Sequence, residues 1–137
     1  MNLADARKLK AKLDEGDWVP VPSPYFKALQ LLVVPGASMA TTTRLQELTR
    51  AYRAKNRIKE GKELPVEDAI RLAFQANVGR KVKGWRGIED ENGDVLAFNE
   101  ENFVTVVMEF ELWVEVSRIL NSDEAFEAQA QEELKGN

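Results

Sequence analysis

The sequence contains no cysteine and no histidine. Without thiols, disulfides, thiolate zinc sites and cysteine nucleophiles are excluded; without imidazole, so are the Ser-His-Asp triad and histidine metal sites. Only carboxylate, Lys, Tyr or Ser chemistry is left. No stretch matches G-x-x-x-x-G-K-[ST], or a G-x-G-x-x-G that opens a helix, so a phosphate cradle for nucleotide chemistry is lacking. Neither a secretory apolar segment behind Met1 nor an apolar run long enough to span a bilayer is found, which sets the expectation of a soluble protein needing no oxidising compartment. Eight Gly and five Pro are too few for a low-complexity or collagen-like chain.

What is there fits one folded unit. The 137 residues, 44% hydrophobic and 31% charged, match a single globular domain over 1–137 that can bury a core, with fraying expected at Lys135-Gly136-Asn137. The net charge of -4 conceals a segregation along the chain. Residues 1–37 carry five Lys/Arg and four Asp/Glu (net +1), residues 38–86 twelve and five (net +7), and residues 87–137 two and fourteen (net -12). Such asymmetry suggests that the basic middle of one copy meets the acidic end of another, or that each pole meets a different partner; pairing of the poles within one monomer is the plainer alternative.

Periodicity places the elements. Leu3, Ala6, Leu9 and Leu13 recur at helical spacing with Gly16 as a stop, which predicts a short amphipathic helix. Asp17-Trp18-Val19-Pro20-Val21-Pro22 is held extended by its alternate prolines and reads as an edge strand. Phe26 to Val34 fits a buried strand, although Ser23-Pro24 equally fits the cap of a short helix. Thr43 and Gln46 have capping-box spacing, so a helix is expected to start there. It would carry Leu45, Leu48, Tyr52 and Ile58 on a core stripe, Arg50, Arg53 and Arg57 on a solvated one, and end at Gly61. Pro65 opens a second helix with Glu67 and Asp68 in its first turn and Val66, Ala69, Ile70, Ala73, Phe74 and Val78 facing inward, completing an αα-hairpin.

From Gly84 the period becomes two, and Asn92-Gly93 between Trp85–Asp90 and Asp94–Phe98 signals a tight β-hairpin. Asn99 is the expected N-cap, with Glu100 and Glu101 in the first turn, of a long helix running from Phe103 to Leu120. Ser122 caps an expected last helix bearing Phe126, Ala130 and Leu134. The fold class is therefore α+β, mainly α: an αα-hairpin and long C-terminal helices with a small antiparallel β-hairpin.

The feature pointing most directly to function is the apolar girth of the Phe103–Leu120 segment. Phe103, Val106, Val107, Phe110, Trp113 and Val114 form one stripe, and Val104, Met108, Leu112, Val116 and Ile119 another, so the helix needs cover on both sides. Core burial in the monomer is one reading; a docking face for another subunit or a client helix, anchored by Phe110 and Trp113 with Phe103, Val107 and Val114, is the other. The acidic turn Asp90-Glu91-Asn92-Gly93-Asp94 fails as a calcium loop, because Gly falls fourth and not sixth from Asp90. Glu109 and Glu115 have no convergent polar company, so no catalytic site, cofactor or metal is assigned and the protein is read as non-enzymatic. Arg50, Arg53, Lys55, Arg57, Lys59 and Lys62, with Arg80, Lys81, Lys83 and Arg86, could track phosphates, which makes a nucleic-acid-binding regulator the rival reading. An isoelectric point near 5.0 and the missing helix-turn-helix and RNP signatures weigh against it.

At Gly84-Trp85-Arg86-Gly87-Ile88-Glu89-Asp90 and Gly93-Asp94-Val95-Leu96-Ala97-Phe98-Asn99-Glu100-Glu101-Asn102-Phe103 the chain resembles the tail assembly chaperones of long-tailed bacteriophages, as does Asp17–Ser23 followed by Phe26 to Val34. The matched stretches cover about a third of the chain. The resemblance implies a self-associating, non-enzymatic protein of the host cell cytoplasm, absent from the mature virion. It would bind the tape measure protein, keep it soluble and aid tail tube assembly, with the tail tube protein recruited through a frameshifted longer product. No membrane partner is implied.

Overall fold

A computed structural model describes residues 1–122. Its elements run α1 (Leu3–Glu15), β1 (Asp17–Pro20), β2 (Gln30–Val33), α2 (Ser38–Asn56), α3 (Val66–Asn77), β3 (Val82–Arg86), α4 (Glu100–Glu109) and α5 (Trp113–Leu120). The class is α+β, mainly α. The helix expected after Ser122, with Phe126, Ala130 and Leu134, lies outside the described residues.

The three strands form an antiparallel sheet in the order β1-β2-β3, and the helical hairpin α2–α3 is inserted between β2 and β3. In the central strand Leu31 and Val33 are buried while Gln30 and Leu32 are not, the period-two alternation of a sheet covered on one face. The pairs Val19–Leu31–Trp85 and Trp18–Leu32–Gly84 set the register, the first on the covered face and the second on the outer one. An irregularity between Leu32 and Val33 pairs Val33 with Val82 and lets the chain turn toward α2. The core of the covered face takes Phe74 from α3 and Val78 just after it, Phe103, Val106 and Val107 from α4, and Val116 and Leu120 from α5. Trp85, Phe98, Phe103 and Phe74 make a chain of edge-on and tilted ring contacts with centroids 5.3–6.3 Å apart.

Several local expectations shift. The sheet is larger than a single hairpin. β1 and β2 supply two strands, β3 pairs with β2, and Asn92-Gly93 turns a loop joined only by the isolated bridge Glu89–Val95. That loop is nonetheless fixed: Trp85 Nε1 donates to the Leu96 carbonyl at 2.7 Å and Leu96 N–H to the Ile88 carbonyl at 3.1 Å. The strand expected over Phe26 to Val34 is confined to Gln30–Val33, and Ser23 does not cap a helix; its hydroxyl accepts from the N–H groups of Tyr25 and Phe26, both at 3.1 Å, in a turn. α2 begins at Ser38 behind a left-handed Ala37, not at the Thr43–Gln46 spacing, and ends at Asn56 with Arg57 left-handed, a turn before Gly61. No residue of α2 is buried, so its apolar stripe is only half-covered by α3, where Tyr52 donates to Asp68 at 2.6 Å. In α3, Leu72, Phe74 and Ala76 are buried and Ile70 and Ala73 partly so, while Val66 and Ala69 face out.

The largest correction is the break in the Phe103–Leu120 segment. α4 ends at Glu109, and Leu112 N–H bonds the Val107 carbonyl at 2.9 Å while Glu111 N–H bonds the Met108 carbonyl at 3.4 Å. With Glu111 at φ 53, this is a Schellman termination in which Leu112 and Val107, both buried, form the accompanying apolar contact. α5 then starts afresh at Trp113.

Candidate interaction surface

The break divides the apolar stripe between interior and surface. Phe103 and Val107 are enclosed by the domain itself, at 0% and 2% exposure, and a partner of the folded chain cannot reach them. This corrects their assignment to a docking face: both belong to the hydrophobic core, where the Phe103 ring meets those of Trp85 and Phe74. Phe110 is half-buried, held against Phe26 at 4.8 Å and Tyr25 at 5.3 Å. Trp113 and Val114, in the first turn of α5, stand 43% and 47% exposed.

Trp113 borders a groove of about 470 Å³ between the start of α2, the outer side of α3 and α5. Thr41 and Thr42 of α2, Ile70 and Ala73 of α3, and Trp113 and Ser117 of α5 are among its lining residues. Met39, in the first turn of α2, adds another exposed apolar side chain. An exposed Trp beside a partly apolar groove is the arrangement in which one large anchor carries much of a binding energy. It can take up an apolar helix face; among the described residues no His, Cys, Asp or Glu group is placed to hold a metal ion.

The basic stretch is brought together less than its sequence suggests. Arg53 donates to the carbonyls of Lys59 at 3.0 Å and Lys62 at 2.7 Å, tying down the α2–α3 loop. Arg57 terminates α2 with its backbone, and Arg50 and Arg57 stand exposed. Arg80 donates to the Val78 carbonyl, Lys83 to the Gly79 carbonyl, and Arg86 lies 4.2 Å over the Trp18 ring while bonding Gln30. These cations hold the fold. The sequence showed their charge but not their engagement, because backbone carbonyls of nearby loops carry no residue-type signal and the Trp18 ring under Arg86 is distant along the chain.

Sequence reading also missed Arg44, which clamps the helices. Its guanidinium gives Glu100 two hydrogen bonds, at 2.9 and 3.2 Å, and Gln75 adds a third at 3.2 Å, so α2, α3 and α4 meet on one carboxylate. Burial pushes the Glu100 pKa up, but the hydrogen bonds from Arg44 and Gln75, with the charges of Arg44 and Arg80, outweigh it and hold Glu100 below its usual value. The bond to Glu100 likewise raises Arg44. A carboxylate with a depressed folded pKa stabilises the fold above its unfolded pKa of about 4.3, and that contribution is lost as pH falls through the folded value. Glu100→Gln is therefore expected to lower stability at neutral pH by about 1 kcal/mol and to flatten the acid limb of the stability–pH curve, measured by urea denaturation between pH 3 and pH 7.

Compared with known proteins, a family model described as YdaY prophage protein matches residues 37–137. The chain belongs to that family, and is of phage origin. The match starts at Ala37, the residue that precedes α2, and takes in Trp113, the Arg44–Glu100 clamp and the basic stretch. No curated protein and no solved structure matches the chain. Among the described residues no helix is long and apolar enough to cross a membrane.

Proposed function

We propose, from the chain's place in a prophage family, that it is a non-enzymatic tail assembly chaperone. It binds a tape measure protein in the host cytoplasm, keeps it soluble, self-associates while doing so, and aids tail tube assembly. The observation that carries this reading is the exposed Trp113–Val114 pair beside the α2–α3–α5 groove. A long helical client with a repeating apolar stripe is recognised by laying that stripe into apolar grooves, and a single aromatic anchor per copy suits a client bound by many copies. The sequence resemblance over Gly84–Asp90 and Gly93–Phe103 supports it; in this fold those residues build the Trp85–Phe98–Phe103 cluster that supports α4. The nucleic-acid reading draws less support, because Arg53, Arg80, Lys83 and Arg86 are spent on internal contacts.

Co-expression with the tape measure protein tests this. The wild-type chain is expected to move the client into the soluble fraction. Trp113→Asp is expected to weaken binding by roughly 2 kcal/mol, about thirtyfold, with the thermal midpoint nearly unchanged because the side chain is exposed. A client whose solubility is indifferent to the chain, or to Trp113→Asp in a folded variant, would remove the proposal.

A further inference from the structure

Helix α1 is well built, and among the described residues it is only lightly covered. Asn2 caps it, accepting from Asp5 N–H at 2.9 Å, and Gly16 at φ 75 stops it, yet none of its 13 residues is buried and Leu3 is 64% exposed. A helix of this length is marginal in water on its own; such helices are held by packing of an apolar stripe. The stripe exists in Leu3 and Ala6, which are exposed, and Leu9 and Leu13, which are half-buried, and beside it the six residues from Arg7 to Lys12 hold four Lys/Arg and no acid.

A complementary surface lies elsewhere on the molecule. A groove of about 520 Å³ has Phe26, Ile88, Leu96, Val106 and Phe110 among its lining residues, all buried or half-buried, and Glu89, Asp90, Glu91 and Glu109 around them. No Lys or Arg lines it, and Glu89, Glu91 and Glu109 form no ion pair among the described residues. Within one molecule the two features are held apart. α1 joins the sheet at its Asp17–Val33 end, whereas Phe26 and Ile88 flank the opposite end, where Gln30 pairs with both Pro20 and Arg86; α1 contributes nothing to the groove lining.

We infer that α1 of one copy docks in the Phe26–Ile88–Phe110 groove of a second copy, its leucines on the apolar lining and its basic residues against the four carboxylates. Because the helix and the groove are different surfaces, the contact is heterologous and head-to-tail, closing into a ring or continuing as a filament. It is separate from the Trp113 surface, and it stands whether or not the client is a tape measure protein.

Sedimentation equilibrium of the full chain tests it by charge exchange. The wild type is expected to gain mass with concentration, less so as salt is raised. Reversing the groove (Glu89→Lys, Glu91→Lys, Glu109→Lys) or the helix (Arg7→Glu, Lys8→Glu, Lys10→Glu) is expected to weaken association at least about tenfold. Combining both sets in one chain, or mixing the two reversed proteins, is expected to restore it. A wild type that is monomeric at every concentration, reversed variants that associate like wild type, or a combined variant without recovery would overturn the inference. Trp113→Asp is expected to leave this association intact while losing the client, so the two surfaces fail separately.

Discussion

Phe103→Ala is expected to destabilise the domain by about 3–5 kcal/mol and to lower its thermal midpoint by roughly 10–15 °C. The ring is fully enclosed, and it touches Trp85, Phe98 and Phe74 at centroid distances of 6.2, 5.7 and 6.3 Å, so it links the sheet, the Asn92-Gly93 loop and α3 to α4. Truncation leaves a cavity bounded by three large rings that cannot collapse onto an alanine without losing their own contacts. With a total stability of about 5–15 kcal/mol for a domain of this kind, the loss is a large share of the whole. Phe103→Leu keeps most of the volume and is expected to cost about 1–2 kcal/mol. Calorimetry of the two variants checks both values, and a Phe103→Ala protein that melts within a degree or two of wild type would mean that α4 is not seated on the sheet as described.

Gly87→Ala is expected to be worse, on the order of 4 kcal/mol or more. Gly87 has φ 85, a conformation that costs an L side chain about 1–2 kcal/mol by itself. In addition, a Cβ there would lie 1.9 Å from the Ala28 carbonyl oxygen and 2.3 Å from its carbon. These are backbone atoms of the loop between β1 and β2, so no side-chain rotation relieves the clash. Relief requires the chain after β3 to move away from the sheet, which would pull Ile88 out of the core and break the bond from Leu96 N–H to its carbonyl. Gly93→Ala is the matched control: Gly93 also has positive φ (84), but a Cβ meets nothing within 4 Å, so only the conformational cost applies. Expression as soluble protein and the urea midpoint report the difference between the two variants, and equal losses would contradict the close approach at Ala28.

Those two positions also show which parts of the fold are written locally. Gly16, Pro65 and Asn99 act through their own backbone geometry or a side chain reaching three residues on, and each delimits a helix where it was expected. Terminations that use left-handed Arg57 and Glu111 were invisible, because neither residue type signals that conformation and the favourable contacts that hold it, such as Leu112 on Val107, are tertiary. That is why one long helix was expected where α4 and α5 stand. The start of α2 failed for the opposite reason: Thr43 and Gln46 have the right spacing, but the helix already runs from Ser38 behind a left-handed Ala37 without a side-chain cap. The pairing of β2 with β3 joins residues some fifty positions apart across the helical hairpin, and nothing in either strand names its partner.

The same distinction governs the candidate surface. The apolar girth of Phe103–Leu120 was legible, and with it the alternatives of core and dock; the helix break divides the stripe by exposure, with Phe103 and Val107 enclosed and Trp113 and Val114 exposed. The groove beside Trp113 was not legible, since Thr41, Ile70 and Ser117 come from three helices far apart in the chain, and only the pairing of α2 with α3 is fixed by the Arg44–Glu100–Gln75 bonds.

Amide hydrogen exchange on the wild-type chain, alone and with a soluble helical segment of the tape measure protein, most directly tests whether that surface receives a client. New protection is expected at residues 38–42 and 113–121, the elements that wall the groove, with little change in the β2 strand that is already enclosed. Protection that stays unchanged across both segments while the client is bound, or that gathers instead on Arg50 to Lys62, would contradict it.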